Sequence, residues 1–593
     1  MEQPLSLLLS EIQVGKIGLP DIQRPYVWPD AKVRNLFDSL MKGFPIGYLM
    51  FWDTPDKYGK DKFIGTDEKS YKSAKSLVID GQQRLTALYA AMYGIYVVDK
   101  NYNDRAIRIA FNPMNKKFDV WSAAIEKNPN YVPDISKLLS VANSKITERK
   151  KFIENLKVKR KADLEKTGTI IESDLITDEE EALIEKGFDE LYGLLDVKIP
   201  TIDIFGTLSE KDVAEIFVRV NSAGQKIKEN DFIMTLISVY DPNLKVSIND
   251  FCKNSSTPGG TSYNPLIALD MSHIVRIAAG LAFNRGRLNY AYKILLGIDL
   301  NEKGGEPSPE RRSGMFSQFS KAVSIAMNET DWSMYINTIE GAGYVNKNLI
   351  SSKYAVIYCY MFYLIGKYTF KVKQSELKVI IRKWFFFSSM TSFYTGSSES
   401  DVESQLNDLM DLPKNQTEFI NYFDTAINSE FTDSYFETTL PHMLDTSGNK
   451  HPLWFAFVAS QIVLGAKAMF SNVSIQQLLT LVQTDKPVYD KHHIYPKQYL
   501  KTKEYNDRKI NQLANFLFID YDTNIDIGQD PPSMYVPPRR KSMGEEEYKE
   551  MCSASALPEG FENLDYSQFL EKRRTLMAKK IREAYNKLSE LTG

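Results

Sequence analysis

Apolar residues fall at helical spacing in Leu5-Ser-Leu-Leu-Leu-Ser-Glu-Ile12, and again at Val33, Leu36, Phe37 and Leu40. Both stretches are predicted to be amphipathic helices. Between them Pro25 and Pro29 forbid a helix, so Gln23, Arg24 and Tyr26 are expected on an extended loop. Gly43-Phe-Pro-Ile-Gly47 breaks the second helix, and residues 48–52 read as a strand. The next strand, Ser76-Leu-Val-Ile-Asp80, runs into Gly81-Gln-Gln-Arg84, which opens a helix continuing to about Tyr93. Residues 144–192 are dominated by charge, with Phe152, Ile153, Leu156 and Leu164 as a thin apolar face, so exposed helices are predicted there. Residues 211–220 and 227–239 have helical patterns joined by a turn of small residues, Asn221-Ser-Ala-Gly224.

From about 265 to 480 the pattern is nearly all helical. Long apolar segments at 354–365, 379–393 and 453–464 are dense in tyrosine, phenylalanine and tryptophan, which places them in a core. The period then changes. Val488-Tyr489 and Ile494-Tyr495 read as short strand pieces, and 516–519 as an apolar strand. Pro537-Pro-Arg-Arg-Lys541 is expected to be a mobile basic segment. A last helix over 567–591 gathers Arg573, Arg574, Lys579, Lys580 and Arg582, either to face a polyanion or simply to be solvated.

Composition adds bounds rather than a function. At 593 residues the chain exceeds one ordinary core, and its 43% apolar and 25% charged residues are those of a globular protein. A net charge of -3 announces no polyanionic partner globally, so any nucleic-acid contact must come from local basic patches such as the one at 149–161. Cys252, Cys359 and Cys552 are far apart and form no CxxC, which argues against a thiolate zinc site and for a cytoplasmic location. The apolar run at 354–365 is well short of the roughly 20 residues of a membrane span, so no membrane partner is expected.

The chemistry concentrates in Asp490-Lys-His492-His493-Ile-Tyr-Pro496, followed by Asn515 and Asn524. Two of the chain's five histidines are adjacent here. On a strand, neighbours point to opposite faces, so one imidazole can hold a metal while the other reaches a water. A divalent cation stabilises charge building on a phosphodiester, and a neutral imidazole is a suitable base for the attacking water. An asparagine amide can orient that base through its ring nitrogen. A His-His pair alone is often a surface feature; Pro496 and both asparagines in register shift the balance toward a site.

This arrangement resembles the HNH, or ββα-metal, nucleases. The resemblance implies His493 as general base, Asn515 as the asparagine that steadies it, and His492 and Asn524 as metal ligands, with Mg²⁺ or Mn²⁺ as the cation. Asp490 is a further ligand candidate; in the family the acidic residue often stands directly before the base, where this chain has His492.

A second constellation lies at the other end. A strand that ends in Asp-Gly before a helix offers free N–H groups and a helix dipole to an anion. Gln23-Arg24-Pro25, the Gly-Phe-Pro-Ile-Gly turn and Asp80-Gly81-Gln82-Gln83-Arg84 together resemble the N-terminal domain of GmrSD-type, or type IV, restriction enzymes. That domain is similar to the ParB nucleotide-binding fold. The resemblance implies that residues 80–84 hold a nucleoside triphosphate (GTP, ATP or CTP), with Asp80 handling metal or water and Arg84 binding phosphate. Phe217-Val-Arg219-Val-Asn221 belongs to the same resemblance, which makes Arg219 and Asn221 further nucleotide candidates.

The expected architecture is a multidomain α+β chain: a ParB-like α/β domain over 1–240, a mainly helical domain over 241–475, and a ββα-metal nuclease over 476–593. The function implied is a nucleotide-regulated, metal-dependent endonuclease that cleaves modified phage DNA in antiviral defence, with a possible homodimer as the active form. The alternatives are a nucleotide-switched DNA sensor with a silent nuclease, and an RNA-directed nuclease toxin.

Overall fold

The computed structural model describes residues 2–18, 26–53, 61–62, 69–70, 75–98, 104–139, 145–166, 175–204, 208, 216, 233–234, 236–237, 241–300, 308–448, 450–480 and 489–590. It divides into two compact units, 1–246 and 247–593.

The first unit is built on a five-stranded mixed sheet of β1 (Glu2–Pro4), β2 (Ile17–Gly18), β3 (Leu49–Asp53), β4 (Ser76–Asp80) and β5 (Lys198–Ile204), in the spatial order β1-β5-β3-β4-β2. Strand β3 pairs parallel to β5 and antiparallel to β4. Alternation along the strands explains the two-sided burial. Leu49, Phe51 and Val78 join the large core formed with the helices. Met50, Trp52, Leu77 and Ile79 form a smaller cluster with Ile204 on the opposite face. Helix α1 (Leu5–Gln13) buries Leu5, Leu8, Leu9 and Ile12; α2 (Asp30–Met41) buries Val33, Leu36, Phe37 and Leu40. Both are the predicted helices, and each buries the face on which the apolar residues recur.

The β3–β4 ladder shifts register between Met50 and Phe51, one step from the pair Met50–Asp80. Such a bulge re-aims the strand end, here where the chain leaves β4 for α3 (Gln82–Tyr93) through Gly81. The charged stretch forms α4 (Lys145–Lys166) and α5 (Asp178–Gly193). Phe152, Ile153 and Leu156 are buried, and Arg160 bridges to Glu180 through two nitrogens at 2.7 and 3.0 Å. The expected helical segments at 211–220 and 227–239 lie almost wholly outside the described residues.

The second unit is mainly helical and holds both the aromatic-rich helices and the chain's last hundred residues. Helices α6 (Met271–Phe283), α7 (Lys353–Tyr368) and α8 (Gln374–Met390) carry the apolar segments. Their aromatics are core, as expected, and their polar ends are mostly paired inside. Trp384 Nε1 donates to Tyr394 Oη at 3.0 Å, Tyr394 donates to Gln405 Oε1 at 2.8 Å, and Tyr360 donates to the Ala326 carbonyl at 3.0 Å. Helix α9 (Ser398–Asp411) follows, and α10 (Pro452–Val463) sets Trp454 against Phe516 and Phe518.

Two expectations near the C-terminus are corrected. Residues 537–541 are helical, inside Pro532–Met543, and not a mobile segment. The two interior prolines remove donors, but Tyr535 and Val536 are buried, and Arg540 pairs with Glu545 at 2.6 Å. The last helix runs Tyr566–Lys587; of its basic residues Arg573 turns inward, Lys579 is exposed, and Arg574, Lys580 and Arg582 are paired with carboxylates. Arg573 is fully buried, Arg574 pairs with Asp445 at 3.0 Å, Lys580 with Glu583 at 2.8 Å, and Arg582 with Asp433.

Candidate functional site

The His-His segment lies on β6 (Tyr489–His493), a single strand that runs through both histidines rather than the two flanking pieces expected. It pairs antiparallel with β7 (Phe516–Asp520), with His492 opposite Leu517 and His493 opposite Phe516. Helix α11 (Tyr521–Ile527) follows β7 without an intervening residue. A hairpin and a helix therefore meet around the histidines, and alternation sends the two rings to opposite faces.

On one face His492 is buried, 4% exposed, with its Nδ1 2.7 Å from Asn524 Oδ1. The Tyr535 ring stands edge-on at 5.9 Å. On the other, half-buried His493 packs on Phe516 at 4.6 Å, and its Nε2 lies 3.0 Å from Asn511 Oδ1. The Asn511 amide nitrogen donates to the Asp507 carbonyl at 2.9 Å, which turns Oδ1 toward the ring. The contact therefore suits the Nε2–H tautomer of His493 and leaves Nδ1 as the basic nitrogen.

Asn515 is fully buried and acts on main chain, not on the His493 ring. Its Oδ1 accepts the Tyr495 N–H at 2.9 Å, and its Nδ2 donates to the carbonyls of Tyr495 and Ile510 at 3.1 and 3.0 Å. The Ile494 N–H donates to the Asn515 carbonyl at 2.9 Å. Tyr535 Oη donates to the Ile494 carbonyl at 2.8 Å, and Tyr495 Oη reaches the carbonyls of Phe561 and Leu564. The residues after His493 are thus clamped on several sides. Asn511, Tyr495 and Tyr535 were missed by sequence reasoning; the one available signal was the pair of further asparagines, Asn506 and Asn511, between His493 and Asn515.

Two cis ligands on a cation with bonds of roughly 2.1 Å stand about 3 Å apart. His492 Nδ1 and Asn524 Oδ1 are close to that separation, and one nitrogen with one amide oxygen suits a divalent ion that keeps water or phosphate oxygens elsewhere. His492 and Asn524, hydrogen-bonded to each other here, are the described residues that could hold the group. Asp490 lies on the same strand, with its side chain outside the described residues. Among the described residues no cluster of three or more His, Cys, Asp or Glu side chains forms.

In the first unit Gly81 caps α3 with φ 90°. A Cβ there would stand 2.3 Å from Leu49 Cδ2, so the close approach and the left-handed backbone both require glycine. Arg84 donates to the carbonyls of Ile46 and Tyr48 and, at 3.1 Å, to Asp80 Oδ2. It passes Gly47, whose added Cβ would stand 2.3 Å from its Nη1. Burial lowers the Arg84 pKa and Asp80 opposes that. In this arrangement Arg84 staples the Gly-Phe-Pro-Ile-Gly turn to the mouth of α3. The Val27 N–H donates to Gln83 Oε1 at 2.9 Å, which brings the end of the proline-rich loop to the same mouth. Gln82 and Gln83 are both buried. Gln23, Arg24, Arg219 and Asn221 lie outside the described residues.

Residues 5–238 match the family described as the GmrSD restriction endonuclease, N-terminal domain. Over those residues the first unit is similar to a GmrSD N-terminal domain, and the match points to a restriction-endonuclease-like role. The chain is also similar to an uncharacterized protein of Methanocaldococcus jannaschii. The two are 21% identical over 615 aligned residues, covering 98% of this chain and 96% of that protein. No helix among the described residues is long and apolar enough to cross a membrane.

Proposed function

We propose that the chain is a nucleotide-regulated, metal-dependent DNA endonuclease of type IV restriction type, acting on modified phage DNA through an HNH centre at His492, His493 and Asn524. The observation that carries this reading is the hairpin and helix on which His492 and Asn524 converge to 2.7 Å while His493 faces away on the next position of the same strand. The family match of residues 5–238 supports a restriction role independently of it.

In this reading His493, held by Asn511 through Nε2, takes a proton from the attacking water at Nδ1. Asn515 keeps the main chain at Tyr495 in place, so that the imidazole does not drift from the attacking water. His492 and Asn524, with Asp490 as a further candidate, hold the divalent cation, which when bound supplies positive charge beside the phosphodiester oxygens. The nucleotide belongs at the mouth of α3. There the N–H groups of the helix's first turn offer donors, Asp80 orients water or metal, and Arg84 shapes the mouth by fixing residues 46–48.

The test uses the full chain with unmodified DNA, glucosylated or hydroxymethylated DNA, and RNA, each with Mg²⁺ or Mn²⁺ and with or without GTP, ATP or CTP. Cleavage confined to modified DNA and dependent on triphosphate is expected. Cleavage of RNA alone, or binding without any cleavage, would replace this reading by the toxin or the sensor.

A further inference from the structure

Helix α12 (Tyr566–Lys587) reaches the loop between β6 and β7 at several points. Tyr566 Oη donates to the Lys509 carbonyl at 2.8 Å, Arg574 lies 3.5 Å from Gln512 Oε1, and Arg573 Nη1 donates to the Ala514 carbonyl at 2.7 Å. Arg573 is the unusual member. Its side chain is 0% exposed, and among the described residues no carboxylate pairs with it. The charge is held by the carbonyls of Ala514 and Ser555 and by the faces of Phe457 and Phe569, each 6.0 Å from its centre. Among the described residues its Nε has no hydrogen-bond partner. A buried guanidinium without an acid costs free energy that an apolar side chain would not. Burial accordingly pushes its pKa down to about 9. A side chain chosen for stability alone would not be arginine.

What the guanidinium holds is the residue before Asn515. The Ala514 carbonyl precedes the amide that clamps Tyr495, and the Asn515 carbonyl in turn receives the Ile494 N–H, directly after His493. We propose that Arg573 is a positioning residue for the hairpin centre: through the Ala514 carbonyl it fixes Asn515, and through Asn515 the main chain that aims the His493 imidazole. The inference rests on the nuclease reading for its consequence in catalysis, but the positioning itself is a property of the fold and is measured separately.

The experiment compares the full wild-type chain with Arg573→Met and Arg573→Lys. Methionine fills the space without a charge but leaves the Ala514 and Ser555 carbonyls without this donor, so the melting temperature of Arg573→Met is measured beside its activity and the folded fraction is used to scale kcat. The substitution lowers kcat on modified DNA by about tenfold to a hundredfold, the cost of a misplaced reacting group, with KM changed less than about twofold. Arg573→Lys, which keeps one donor to Ala514, recovers part of kcat. The second readout needs no activity: ¹⁵N-histidine labelling gives signals from only five residues, and single histidine substitutions assign them. The His493 ring signals, at one fixed pH, move away from the Nε2–H tautomer pattern in Arg573→Met. Unchanged His493 signals with unchanged kcat, or a loss of kcat matching the unfolded fraction, overturns the proposal. If the wild type cleaves nothing while the His493 signals still move, the nuclease reading fails and the positioning stands.

Discussion

His493 and Asn511 carry the sharpest expectations at the scale of single residues. Removing the imidazole in His493→Ala removes the proposed base and lowers cleavage by about a hundredfold or more, with the melting temperature within a few degrees of wild type because the ring is only half-buried. A gel assay beside a thermal melt checks both. Asn511→Ala takes away the oxygen that meets His493 Nε2, and about a tenfold fall in kcat with unchanged DNA affinity is expected. An unaltered kcat would move the base's anchor elsewhere. By sequence order Asn515 is the expected anchor, because its place between the histidines and Asn524 matches the nuclease pattern. Which of two nearby asparagines turns its amide to a ring and which to a backbone depends on the path of the loop, and residue order does not encode that path.

Among the elements, the β4–α3 turn is the most constrained. Gly81→Ala meets both a φ of 90° and Leu49 Cδ2, and a loss of about 1–3 kcal/mol in the first unit's unfolding free energy is expected from denaturant titration. Arg84→Lys retains the charge but not the fork that serves two carbonyls and Asp80. It is expected to cost a similar amount and, if residues 80–84 form the nucleotide mouth, to weaken triphosphate binding in proportion. Helix α6 supplies a pH dependence. The Asp270 N–H donates to His273 Nδ1 at 3.0 Å, the ring is 1% exposed, and burial lowers its pKa to about 4. The unfolded chain binds the proton near the usual 6.5 and the folded chain only near 4. Stability of the second unit therefore falls as pH drops through that window, by at most about 1.4 kcal/mol per unit. His273→Gln should flatten the melting temperature between pH 6.5 and 4. A slope identical to wild type would assign the dependence to other groups.

Across the whole molecule, the proposed activity requires a divalent ion. EDTA is expected to abolish cleavage and Mg²⁺ or Mn²⁺ to restore it, with circular dichroism unchanged because His492 and Asn524 are already placed by the hairpin and α11; cutting that persists in chelator would remove the metal from the mechanism. The sequence by itself determined the local matters: where apolar residues recur at helical or strand spacing, which elements follow, that adjacent histidines on a strand face opposite ways, and that Gly81 closes a strand before a helix. Those follow from backbone geometry over a few residues. Tertiary structure alone decided that Asn524 returns to His492 from 32 positions away, that Arg84 is engaged by residues 46–48, and that Arg573 of α12 turns inward. The physical reason is that a polar side chain's partner is set by which distant carbonyl or carboxylate the fold leaves within 3 Å of it. A charged residue reads the same in sequence whether it meets water or a buried backbone.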